Sequence, residues 1–218
     1  MDLKTRARKI FGILRQTHPD ARVMLNHRNA YELLVATILA AQCTDERVNE
    51  VTDGLFRKYP TPEALAKAKP ATLEKEVRPT GFFRQKAKSI TSCSRVIVER
   101  HGGKVPGTMD ELVALPGVGR KTANVVLGEY YDTPGIIVDT HVKRVTTRLG
   151  LTGNSDPDRI EADLDRLIPR RDRTVFSHVI GFHGRRICAA RKPECDECPV
   201  SRLCDYYRQL TGKDAQRG

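Results

Sequence analysis

Apolar residues near the start of the chain recur at helical spacing: Leu3, Ala7, Ile10, Phe11 and Leu14 share one stripe, with Lys and Arg on the other faces. The pattern predicts an amphipathic helix broken at Thr17-His18-Pro19-Asp20. Asn29 and Glu32 then stand at capping-box spacing, and Tyr31 to Ala41 is apolar on nearly all sides. This predicts a central buried helix that Gln42 ends at the surface. Val48, Val51 and Leu55 mark a further helix starting near Thr44 or Asp45, while Thr61-Pro62-Glu63 and Pro70 open two short ones.

Thr80-Gly81-Phe82-Phe83 predicts a turn. After it, Ala87, Ile90, Ser94, Ile97 and Val98 trace a long helix stopped by Gly102-Gly103. Thr108 and Glu111 form a second capping box, and a helix from about Arg120 to Tyr130 follows. Ile136-Ile137-Val138 reads as an apolar connector before a helix from Thr140 to Leu149, closed by Gly150. Ser155, Pro157 and Asp158 open another, with Ile160, Leu164 and Ile168 on its apolar side; Val175, Phe176, Val179 and Ile180 place one more. No run alternates with the two-residue period of a strand, so the fold class expected is all-α, with roughly ten short helices and no internal repeat.

Composition narrows the partners. Thirty-eight Lys and Arg against twenty-seven Asp and Glu leave a formal net charge of +11 over 218 residues. That excess points to a polyanion, nucleic acid foremost, although a solvated basic surface produces the same balance. The longest apolar run, Leu33 to Ala41, is far too short to span a bilayer, so no membrane partner is expected. MDLKTRARKIFGIL lacks the apolar core and cleavage site of a secretory signal, which makes the expected location cytoplasmic. In that compartment six cysteines serve as ligands or buried thiols rather than as a disulfide framework.

Candidate chemistry concentrates at three places. In Leu115-Pro116-Gly117-Val118-Gly119-Arg120-Lys121-Thr122, the proline and glycines predict a tight turn between two helices, a helix-hairpin-helix. Its small residues admit a phosphate to backbone N–H groups at a helix N-terminus, with Arg120 and Lys121 adding charge. The positive helix end and the neighbouring guanidinium oppose protonation of Lys121, the condition a nucleophilic amine needs; a phosphate-binding lysine fits the same residues. Asp139 precedes a helix and reads as an N-cap or a catalytic carboxylate, two compatible roles. His141 contacts a phosphate or fills the helix start.

Cys188-x6-Cys195-x2-Cys198-x5-Cys204 places four soft ligands in one short loop, which suits zinc or an iron–sulfur cluster. Arg185, Arg186, Arg191, Lys192 and Arg202 surround them, either to rest on a phosphate backbone or to offset anionic thiolates. Cys43 and Cys93 read as core residues inside helices.

The hairpin, the VDTHVKR stretch and the cysteine loop, in this order, closely resemble the endonuclease III family, bifunctional DNA glycosylase/AP lyases of the helix-hairpin-helix superfamily. The likeness extends from the Tyr31-to-Asp45 segment through Cys204. It implies a [4Fe–4S] cluster on Cys188, Cys195, Cys198 and Cys204. It also implies two helical domains with DNA at the cleft between them: a six-helix barrel over 22–133, and a cluster domain joining 1–21 to 134–218.

By the same resemblance, Lys121 is the nucleophile and Asp139 the catalytic carboxylate. Gln42 fills the gap left by a flipped nucleotide, and Phe82 stands where relatives often carry leucine as a second wedge. Ala40 replaces a small hydroxyl residue. Gly117, Gly119, Arg120, His141, Arg191 and Lys192 are the remaining DNA-binding candidates. The implied function is removal of oxidised pyrimidines from duplex DNA through a lysine Schiff base, with incision 3′ to the abasic site by β-elimination. The expected protein is a nucleoid-associated monomer acting on double-stranded DNA with damaged pyrimidines or abasic sites. The rivals are a monofunctional or mismatch-directed glycosylase, and a non-catalytic protein whose hairpin and cluster only grip phosphates.

Overall fold

Helix formation follows the capping chemistry closely. In the computed structural model, which describes residues 1–212, Asp2, Asn29, Thr44, Thr61, Thr108, Asp139 and Asp156 each accept a backbone N–H with the side chain at a helix start. The helices are α1 Leu3–Thr17, α2 Ala30–Leu39, α3 Asp45–Lys58, α4 Pro62–Ala66, α5 Pro70–Val77 and α6 Phe83–His101. They continue with α7 Met109–Val113, α8 Arg120–Tyr130, α9 Thr140–Arg148, α10 Pro157–Leu167, α11 Arg173–Arg186 and α12 Asp205–Leu210. Among the described residues there is no strand, so the all-α expectation holds. No helix among the described residues is long and apolar enough to cross a membrane.

Several details differ from the sequence reading. Both capping boxes form only by half: the Glu32 carboxylate turns to the Arg28 backbone and guanidinium, and Glu111 accepts from the Thr108 hydroxyl. Leu3 and Val175, expected on apolar stripes, are 41% and 38% exposed: Leu3 is the first residue of α1, and Val175 lies off the face that buries Thr174 and Phe176. Cys43 lies in a turn and is half-buried, not inside a helix, whereas Cys93 is buried in α6 as expected. Helix α12 was not anticipated. It is short, and it is held by packing, with Tyr206 and Tyr207 against the core and the Arg148 guanidinium 4.8 Å from the Tyr206 ring centroid.

Residue contacts divide the chain into two units, Met24–Thr133 and Met1–Val23 with Pro134–Gly218. Residues 213–218, expected in the cluster domain, lie outside the described residues. In Met24–Thr133, α2 is enclosed: Tyr31 to Leu39 are all buried, with α8, α6 and α3 packed around them. Leu33, Leu34 and Leu39 are fully excluded from solvent and contribute about 2 kcal/mol each. Thr37 is satisfied there by the Leu33 carbonyl at 2.7 Å and Glu32 by Arg28.

In the other unit, Ala7, Ile10, Phe11 and Leu14 of α1 pack onto α11 and α10 around the Phe176 ring, which meets Phe11 edge-on at 5.7 Å. Helix α11 also lies against α9. A Cβ added at Gly184 would come within 3.0 Å of the His141 Cβ and of Val145 Cγ2, so the absent side chain permits the approach.

Candidate active site and cysteine loop

The hairpin grows from three buried anchors. Leu112, Leu115 and Val118 are sequestered, and the Leu115 and Val118 N–H groups bond to Leu112 and Leu115 carbonyls at 3.1 Å. Gly117 makes the turn: its φ is +78°, and an added Cβ would stand 2.7 Å from the Ser89 Cβ of α6. Gly119 does not share that duty. Its backbone is extended, a Cβ there would meet nothing, and as N-cap of α8 it offers no side chain to the helix end. The first turn of α8 is therefore uncapped by any side chain, and Arg120 and Lys121 are both exposed there. N–H groups with no side-chain cap, a positive helix end and two cations form an arrangement that suits an anion.

Two further candidates share this unit. Gln42 and Phe82 are exposed, Phe82 at 68%, and both adopt left-handed backbone with φ of +53° and +45°. Such conformations are uncommon for residues with a Cβ and persist only where the surroundings enforce them.

Asp139 begins α9 in the other unit. Its Oδ1 accepts the Val142 N–H at 2.7 Å, which fixes the carboxylate while using one of its two oxygens. Ile136 and Ile137 are buried before it, and the Ser177 hydroxyl accepts the Ile137 N–H at 2.9 Å, so the approach to Asp139 is anchored on both sides. His141 is half-buried; its Nδ1 accepts from Arg144 at 3.1 Å, and burial pushes the ring below the ordinary histidine range.

The four loop cysteines form no disulfide and line one cavity together with Arg148, His183 and Tyr206. Four thiols around a shared cavity are a soft donor set of the kind that zinc or an iron–sulfur cluster takes. Burial pushes the Cys198 thiol up to about 11 and raises Cys195 and Cys204. Helix α9 holds the loop: Arg144 donates to the Cys188 carbonyl at 3.1 Å, and Arg148 to the Ala189 and Ala190 carbonyls at 2.7 and 3.0 Å. The same helix thus carries Asp139 at its start and the cysteine loop along one face.

Sequence reasoning missed Arg148 and His183. The four-residue interval from Arg144 to Arg148 puts both on one helical face and was the available signal. Buried His183, 3.6 Å from Cys198 Sγ, had none. Of the expected loop cations, Arg191, Lys192 and Arg202 are exposed, while Arg186 forms a two-bond ion pair with Asp20 at 2.9 and 2.7 Å.

The chain is similar to known proteins in both sequence and fold. The family described as HhH-GPD superfamily base excision DNA repair protein matches residues 35–170. Endonuclease III of Synechocystis sp. is 53% identical over 202 residues, 92% of each chain. A solved structure described as a non-covalent endonuclease III–DNA complex superposes with a TM-score of 0.92 at 39% identity, covering 97% of this chain and all of the other. One described as a trapped endonuclease III–DNA covalent intermediate gives 0.92 at 40% identity with the same coverage. The uncapped hairpin helix, the capped aspartate and the four-cysteine loop accordingly occur in a chain that belongs to the HhH-GPD superfamily of base excision DNA repair enzymes, within its endonuclease III family.

Proposed function

We propose that this DNA glycosylase removes oxidised pyrimidines from duplex DNA and cuts the strand at the resulting abasic site through a covalent Lys121 intermediate. The observation that carries the reading is an exposed lysine in the uncapped first turn of α8, in a chain 40% identical to a protein trapped covalently on DNA. The Gly117 turn and the α8 N–H groups grip a phosphate, with Arg120, Arg191 and Lys192 adding charge along the backbone. The damaged nucleotide leaves the stack because its C1′ is unreachable inside it, and Gln42 and Phe82 occupy the space vacated.

The neutral Lys121 amine attacks C1′. Its lone pair forms the C–N bond as the glycosidic bond breaks, and the base departs with that bonding pair and takes up a proton. Asp139 orients and assists deprotonation of the amine and stabilises positive charge developing on the sugar. Ring opening gives a protonated Schiff base, which acidifies the C2′ hydrogen. Loss of that proton expels the 3′ phosphate by β-elimination, and water then releases Lys121. No water nucleophile is required to remove the base, which couples glycosylase to lyase activity.

Cys188, Cys195, Cys198 and Cys204 would hold a [4Fe–4S] cluster. When bound, it supplies iron–thiolate bonds that cross-link the loop. The two contact units are taken as the two domains.

Borohydride present during incubation with abasic-site duplex tests the mechanism, since it reduces a Schiff base to a stable adduct. Wild-type protein should give the adduct, and Lys121→Gln should bind DNA but give none. Salt-sensitive binding by the wild type with no adduct would replace this reading by a non-catalytic one.

A further inference from the structure

Lys86 is a charged side chain with no place in the chemistry above, yet it is only 5% exposed. Its Nζ donates to the Leu39 carbonyl at 2.8 Å and to the Thr80 carbonyl at 2.6 Å. Leu39 is the last residue of α2, three before Gln42; Thr80 ends a short 3₁₀ turn, two before Phe82. One buried ammonium therefore joins the ends of two segments remote in sequence. Each then enters left-handed backbone at a residue with a Cβ, at Gln42 and at Phe82, where an exposed side chain follows.

Left-handed backbone at such residues costs of order 1–3 kcal/mol and relaxes unless held from elsewhere. Burial disfavours the charged form of Lys86, and the two short charge-assisted bonds to carbonyl oxygens compensate it. Those carbonyls would otherwise be orphans at element ends.

We propose that Lys86 is a positioning residue that clamps the Gln42 and Phe82 turns together, so that insertion of these side chains into a duplex depends on a lysine that touches no DNA. The proposal rests on the wedge role given to Gln42 and Phe82 above. A clamp of this kind matters only where a stacked partner strand must be penetrated.

The test compares single-turnover incision of an abasic site in duplex with the same site in single-stranded DNA, where no gap needs filling. For Lys86→Met, duplex incision should fall about tenfold while single-strand incision stays within twofold; 2-aminopurine opposite the lesion should lose its extrusion signal in parallel. Lys86→Gln, too short to span both carbonyls, should show the same selectivity and serves if the methionine variant does not fold. Equal losses on both substrates would reduce Lys86 to a purely structural residue, and no loss on either would remove it from the mechanism. Gln42→Ala and Phe82→Ala separate the two levels. If they lose duplex incision and the Lys86 variants do not, the clamp alone fails; if they too are unselective, the wedge reading fails and the clamp with it.

Discussion

Asp139 carries on one carboxylate both the cap that the structure shows and the catalytic role proposed for it. Capping the Val142 N–H holds one oxygen and leaves the carboxylate aimed from a rigid helix start. Asparagine caps about as well as aspartate but carries no charge and takes no proton. Asp139→Asn should therefore melt close to the wild type while losing about 10²- to 10⁴-fold in turnover. Calorimetry with a single-turnover assay checks both halves, and a variant that kept its rate would confine Asp139 to capping. Asp163 gives a pH-dependent counterpart. The Thr152 hydroxyl and Asn154 amide donate to it at 2.6 and 2.7 Å, holding its carboxyl below the usual range. Because the folded value lies below the unfolded one, its contribution is complete above about pH 4 and fades as pH falls through the folded value. Asp163→Asn should cost about 1 kcal/mol at neutral pH, and denaturant titrations should show the two proteins converging in acid.

At the scale of elements, the two hairpin glycines separate into different physics. Gly117→Ala meets both a positive φ and the Ser89 side chain, so it should lose about 1–3 kcal/mol of stability. Gly119→Ser should do the opposite: a hydroxyl at the N-cap gains a few tenths of a kcal/mol. The same hydroxyl occupies N–H groups that a phosphate would use, so abasic-duplex affinity should drop several-fold as the melting temperature rises. Unchanged affinity would count against an anion site at this helix end. Helix α9 is the other element with a double duty, because Arg144 and Arg148 hold the cysteine loop from the helix that Asp139 starts.

For the whole molecule, the net charge of +11 predicts that binding is strongly salt-dependent. With about five phosphates engaged, log affinity should fall with log salt at a slope near −4 to −5. A slope near zero would detach the charge from DNA binding. The two contact units make a second prediction at this scale. The four loop cysteines lie in Pro134–Gly218, whereas the α2-centred core belongs wholly to Met24–Thr133. Removing the proposed cluster should therefore expose amides of 188–212 to hydrogen exchange first, with α2 and α8 retaining protection. Simultaneous loss in α2 would mean that the loop supports the entire chain.

Helix starts, the turn at Gly117, the long α6 and the stripe of α1 were legible in the order of residues, because capping and amphipathic spacing act over three or four positions. The cysteine loop and the hairpin were legible for the same reason, as local motifs. What tertiary structure decided were relations across long stretches of chain. The buried Lys86 linking Leu39 to Thr80 and the contact between Gly184 and His141 leave no local trace. The left-handed backbone at Gln42 and Phe82 and the outward turn of Leu3 and Val175 belong with them. Local energies select each helix by itself, but which carbonyl a distant cation satisfies, or which side of a stripe finds a neighbour, depends on packing that exists only after the chain has folded.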